Sequence, residues 1–252
     1  MSLIERIACE NEISHKAQSR NMSNVALVLA ELVSAALSFT LVRFMVKPYL
    51  YTGEGRYVGL PFGFAFLGAS YLFMGLTFFM ESHPFVEEMK WLQLFTEVYA
   101  FAFLAITYYF SQKEFQRGTR LWWQFVFSGL IVGLIATYFV IFEPYSPMFT
   151  LPNYDVANRY ISVFDIIFAS YVSVYTFRSH ALNPDPKTLW APLGYLLIAF
   201  GEYSSLIWSW DSSFSALVGA YTIRLTGLFV FLLVSYGVFS ASQAPQTEKG
   251  LK

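Results

Sequence analysis

Five ionisable residues lie inside stretches of the chain that are otherwise almost entirely apolar: Glu31, Glu97, Asp165, Glu202 and Arg224. A charged side chain at the centre of a bilayer costs about 2.5–3.5 kcal/mol on insertion scales, so such residues commonly line a functional site inside a helix bundle. Four acids and one base predict a polar chamber that binds a proton or a cation, with Arg224 as the internal counter-ion.

The same residues also have a structural interpretation, in which pairs between helices fix the packing and Glu31 extends to the outer interface. We favour a site, because four acids cannot all pair with one arginine. Glu202 and Arg224 form the best candidate pair, since they lie on adjacent predicted helices at similar depth, and Glu31 is the weakest candidate. Three tyrosine hydroxyls at comparable depth are predicted to support the site: Tyr99, Tyr203 and Tyr221.

The composition indicates a membrane protein, since 56% of the residues are hydrophobic and only 13% are charged, against about 25% charged in soluble domains. The net charge of −1 argues against nucleic acid as a partner. Cys9 is the only cysteine, and the three histidines lie outside the predicted spans, which argues against an intramembrane metal or haem. No nucleophile and base stand at a recognisable spacing, so we do not expect an enzyme.

Seven apolar segments have the length of about 20 residues that a bilayer core requires, which predicts an all-α integral membrane protein built as a seven-helix bundle. The predicted spans are about 25–46, 57–80, 89–111, 121–142, 158–178, 188–210 and 213–240. Residues 1–24 are predicted to form a polar N-terminal tail, and residues 241–252 a short cytoplasmic tail.

The positions of Lys and Arg predict the orientation. The loops after spans one, three and five, together with the C-terminal tail, contain ten basic residues, whereas the loops after spans two, four and six contain only Lys90 and Arg159. The N-terminus is therefore expected outside and the C-terminus in the cytoplasm, in the plasma membrane. At 1.5 Å per residue, the five ionisable residues then fall in one layer, roughly 9–17 Å below the outer surface.

Spans one to three resemble spans five to seven, which predicts a parallel 3+1+3 internal repeat with span four as the linker. The matched segments are 101–108 with 229–236, 61–64 with 192–195, and Glu31 with Asp165. Pro61 and Pro192 occupy matched positions and are predicted hinges of two halves that rock against each other. A proline in the first turn of each helix is the simpler alternative.

Two known architectures resemble this chain in layout, and neither resemblance names a family. The small sugar carriers built as 3+1+3 resemble it in topology, but their Pro-Gln signature is missing. Retinal-binding seven-helix proteins also resemble it, but they need a lysine in the last span for the Schiff base. Span seven offers only Arg224, so covalent retinal is disfavoured and no cofactor is predicted.

These features favour a multi-pass carrier for a small polar or cationic solute, with Asp165 and Glu202 as solute or proton ligands. One alternative is a membrane sensor or receptor that signals to a separate cytoplasmic partner, because the tail after span seven is too short to hold an output domain. Another is a non-catalytic subunit of a membrane complex, with lipid-facing aromatic residues as the contact surface.

Overall fold

The computed structural model describes residues 25–47, 50, 59–80, 85–111, 153–182, 189–211 and 213–241. Within these residues the chain forms six helices and no strand. They are α1 (Val25–Lys47), α2 (Gly59–Phe79), α3 (Val86–Ser111), α4 (Tyr154–Leu182), α5 (Trp190–Asp211) and α6 (Phe214–Ala241). The predicted span 121–142, the tail 1–24 and the residues after 241 lie outside the described residues.

All of the helices except α5 are long and apolar enough to cross a membrane. The 22 residues of α5 extend about 33 Å, which also matches a hydrocarbon core of about 30 Å. Large apolar side chains are exposed on the outer faces of the helices, among them Ile167, Val174 and Leu233. The chain is therefore a multi-pass membrane protein whose helices contact the lipid bilayer.

Six of the predicted spans coincide with these helices, and their ends differ by at most four residues. The largest difference is in α4, which begins at Tyr154 rather than at residue 158. Asn153 explains the earlier start, because its side-chain Oδ1 accepts a hydrogen bond of 2.9 Å from the backbone N–H of Asp155. This contact is an N-cap, which satisfies a backbone donor that the helix itself cannot.

The helices α2 to α6 pack in chain order, and α1 fills the gap between α2 and α6. α3 and α4 run parallel, since contacts join their first halves and also their second halves. Near the start of each helix the Tyr154 hydroxyl bonds to Gln93 at 3.1 Å, and near the end the rings of Tyr108 and Tyr175 lie 5.6 Å apart.

The apolar core fills the end of the bundle at which α2 and α5 begin. Its largest fully buried members include Phe64, Phe101, Ile198, Leu228 and Phe231. The rings of Phe64 and Phe231 meet edge to face at 5.5 Å and join α2 to α6 across the bundle. The buried ionisable residues lie beyond this core, toward the opposite end.

α5 and α6 approach so closely that glycine is required at their contact. A Cβ atom on Gly227 would lie 3.1 Å from the carbonyl oxygen of Gly194 and 3.2 Å from the side chains of Ile198 and Leu197. The backbone oxygen cannot move aside as a flexible side chain can. On the same helix, a Cβ atom on Gly237 would meet nothing within 4 Å.

We expect Gly227→Leu to lower the free energy of unfolding by about 1–3 kcal/mol, the usual cost of overpacking a buried contact. Thermal unfolding in detergent measures the change. Gly237→Leu is the matched control, with the same added side chain in open space. An equal decrease in the free energy of unfolding of both variants would mean that the larger side chain itself, and not its position at the α5–α6 contact, destabilises the protein.

Candidate functional site

Arg224 forms an ion pair with Glu31. The guanidinium Nη2 of Arg224 on α6 donates to Oε1 of Glu31 on α1 at 2.9 Å. The hydroxyl of Tyr221, one turn earlier on α6, donates to the same oxygen at 2.9 Å. Two charge-assisted hydrogen bonds therefore hold this carboxylate, while its Oε2 has no hydrogen-bond partner.

Two tyrosine rings hold the guanidinium in place. The Cζ atom of Arg224 lies 4.4 Å from the ring centre of Tyr71 on α2 and 4.8 Å from that of Tyr221. A cation within about 6 Å of an aromatic face is attracted by the ring, and the attraction increases when water is excluded. The three helices α1, α2 and α6 thus share one charged contact.

The predicted pair of Glu202 with Arg224 is not the one that forms. Gly201 packs directly on the backbone of α6, and a Cβ atom there would lie 3.2 Å from the Cβ of Arg224. The Cβ of Arg224 therefore lies against α5, and its guanidinium extends to Glu31 on α1. Glu31, the weakest candidate from the sequence, is the actual ion-pair partner.

Glu97 and Glu202 form a pair of carboxyl groups. Their side chains line the same small cavity, and both are buried, with 7% and 3% of their surface exposed. Gln93, one turn before Glu97 on α3, donates an amide N–H to Oε2 of Glu97. The hydroxyl of Tyr154 on α4 in turn donates to Oε1 of Gln93 at 3.1 Å. Hydrogen bonds therefore run from Tyr154 on α4 through Gln93 to Glu97 on α3.

Asp165 on α4 is the most isolated of the five residues. It is 1% exposed, and neither of its carboxyl oxygens has a hydrogen-bond partner among the described residues. Its strongest electrostatic neighbour is Glu202, and it also interacts with Glu97. The fold thus gathers the five ionisable residues into one cluster, in which the other four line a cavity and Asp165 lies outside that lining.

A small cavity lies inside this cluster. Its lining includes the carboxyl groups of Glu31, Glu97 and Glu202, the guanidinium of Arg224, and the rings of Tyr71 and Trp208. About 40 Å³ of it can be occupied by the centres of water molecules, which is room for about three waters. Oε1 of Glu202 and the hydroxyl of Tyr71 are buried in this lining without a hydrogen-bond partner.

The other predicted site residues lie around the cavity or away from it. Tyr221 lines it, whereas Tyr99 packs against Phe66 and Tyr203 is 53% exposed on the outer face of α5. Pro61 and Pro192 are buried in the first turns of α2 and α5, far along these helices from the cluster.

Sequence reasoning missed several residues of the cavity. Gln93 lies four positions before Glu97 and therefore on the same helix face, which was a usable signal. Tyr71 and Trp208 also line the cavity.

The fold and the cluster define a class: a helical multi-pass membrane protein whose bundle encloses a cavity rich in carboxyl groups. In the part of the chain that the structure describes, no three His, Cys, Asp or Glu side chains are placed to hold a metal ion. No protein-family model, curated protein or solved structure matches the chain.

Proposed function

We propose that this protein is a plasma-membrane carrier for a small polar or cationic solute, and that the solute binds in the cavity between Glu97, Glu202 and Arg224. The observation that carries the proposal is an excess of buried carboxyl groups around a cavity. The cluster has four acids and one arginine, so three acids are left without a basic partner.

This imbalance is expensive for a purely structural role. A buried charge without a partner costs several kcal/mol, and replacement of buried ionic groups by apolar ones is often neutral or stabilising. A solute with positive charge or several N–H donors offsets that cost when it enters the cavity. The space for about three waters favours a compact solute over a sugar.

We also propose the seven-span architecture, with the N-terminus outside and a non-enzymatic role. The parallel course of α3 and α4 supports a further crossing within residues 112–152, because the chain must return before α4 begins. The predicted span 121–142 in that segment contains no charged residue. The excess of basic residues in the loops assigned to the cytoplasm supports the direction.

Contacts of two matched glycines support the parallel repeat. Gly63 packs on Leu104 of α3, and its counterpart Gly194 packs on Phe231 of α6, one position before the counterpart of Leu104. Three matched pairs also contribute to the same cluster: Glu31 with Asp165, Tyr71 with Glu202, and Gln93 with Tyr221. In the carrier, the two halves would move about Pro61 and Pro192 and open the apolar core below the cavity.

Counterflow in proteoliposomes tests the carrier. Vesicles loaded with an unlabelled cation are diluted into the same labelled cation, with guanidinium, sodium and potassium as separate probes. We expect uptake of at least one probe by the wild type, reduced at least tenfold in Asp165→Asn and in Glu202→Gln. Both substitutions keep the shape of the side chain and replace its carboxylate with a neutral amide. Normal counterflow in both variants would assign the cluster a structural role.

A further inference from the structure

We propose that the carboxyl groups of Glu97 and Glu202 share one proton, and that a cation entering the cavity displaces it, so that the protein exchanges one cation for one proton. This inference rests on the proposed carrier function and assigns its coupling ion. It concerns the pair alone, because Glu31 is already engaged by Arg224 and Tyr221.

The placement of the pair favours a shared proton. Carboxylate oxygens only accept hydrogen bonds, so two carboxyl groups can bond to each other only when one of them carries a hydrogen. Glu97 and Glu202 line the same small cavity, and both are buried. Two carboxyl groups that share a site in this way hold one proton jointly, as in other carboxyl dyads.

Gln93 determines where that proton lies. The Tyr154 hydroxyl donates to its carbonyl oxygen, so its amide N–H group faces Glu97. Oε2 of Glu97 is thereby occupied as an acceptor, and the shared proton is confined to the side of Glu202. Oε1 of Glu202 has no partner and lies in the cavity lining, where it is available to an incoming donor.

The exchange balances in charge and in atoms. Before binding, two carboxylates and one proton carry a net charge of −1; after binding, two carboxylates and one monovalent cation carry the same charge. The proton leaves through the waters of the cavity, and no covalent bond to carbon changes. The charged and titratable groups that face the pair are Glu31 from α1, Tyr71 from α2, Tyr154 and Asp165 from α4, and Tyr221 and Arg224 from α6.

Guanidinium is a suitable probe because its planar N–H groups match two carboxylates and it can lie on the rings of Tyr71 or Trp208. Its charge is permanent near neutral pH, so any proton released on binding comes from the protein. Urea has the same planar shape without the charge and is the matched ligand control.

The experiment measures protons released by the purified full-length protein in detergent, in weakly buffered solution with a pH-sensitive dye. Guanidinium, sodium and potassium chlorides are added separately. We expect at least one of these cations to release about one proton per wild-type molecule, and urea to release none. Glu97→Gln should abolish the release. Tyr108→Phe, which removes a buried hydroxyl bond to Tyr195 far from the cavity, should retain it.

A second measurement does not depend on any variant folding correctly. If one proton is displaced, the apparent affinity of the wild type for the cation weakens about tenfold for each unit of pH decrease on the acid side. Cation binding without proton release, or release that persists in Glu97→Gln, overturns the shared proton. If counterflow is observed without proton release and without the pH dependence of affinity, the carrier function is supported and the proton exchange is wrong. If no probe binds or is transported, both proposals are wrong.

Discussion

Arg224→Met is expected to lower the free energy of unfolding by about 3–5 kcal/mol, the cost of leaving a buried charge without its partner. Methionine keeps much of the length of the side chain and removes the guanidinium. Glu31 is then left with one protein donor, the Tyr221 hydroxyl, while only 1% of its surface is exposed. Denaturant unfolding in detergent measures the loss.

The double variant Glu31→Leu with Arg224→Met separates the ion pair from the packing around it. Each single substitution leaves one charge of this ion pair buried without its partner. The double variant removes both charges of the pair, so it should be more stable than either single variant. The double variant should still be less stable than the wild type, because the Tyr221 hydroxyl loses its hydrogen-bond acceptor. Additive losses would show that the two side chains act independently.

Lys90→Met provides the comparison on the surface. Nζ of Lys90 lies 3.9 Å from Oε1 of Glu87; the Glu87 side chain is 72% exposed and the Lys90 side chain 34% exposed, and Lys90 also lies over the ring of Tyr154. Such pairs contribute about 0–1 kcal/mol. A loss in Lys90→Met as large as that in Arg224→Met would point to a general effect of removing charge, and not to burial.

The helices and the shared layer of charges could be predicted from the sequence because they depend on local patterns. Apolar length gives the spans, and a constant rise per residue gives the depth of each charge. Glu31, Glu97, Glu202 and Arg224 were predicted to lie in one layer by counting alone, and the structure places all four around one cavity. The residue at which α4 begins was less predictable, because the N-cap at Asn153 is a hydrogen bond that a hydropathy profile does not detect.

The partner of each charge could not be predicted, because it depends on distances between helices. Arg224 pairs with Glu31, and the close contact of Gly201 with the Cβ of Arg224 brings α5 against the base of this side chain. Nothing in the spacing along α6 encodes that approach. The pairing of Glu97 with Glu202 likewise joins helices more than 100 residues apart in sequence.

Asp165→Val is expected to raise the free energy of unfolding by about 1–3 kcal/mol while it abolishes cation uptake. Both carboxyl oxygens of Asp165 are buried without a hydrogen-bond partner, and an unsatisfied buried polar group costs an amount in this range. Valine is apolar and similar in size, so it removes that cost. Thermal unfolding in detergent and counterflow in proteoliposomes measure the two effects on the same preparation.

The opposite signs of the two effects make the test informative. A residue kept for packing loses stability when it is replaced, whereas a residue kept for function commonly gains it. Glu31→Val is the matched control, because the same change from acid to valine leaves Arg224 buried without its partner and should destabilise the protein. If Asp165→Val is also destabilised, then Asp165 is part of the helix packing, and the solute must be sought at Glu97 and Glu202 alone.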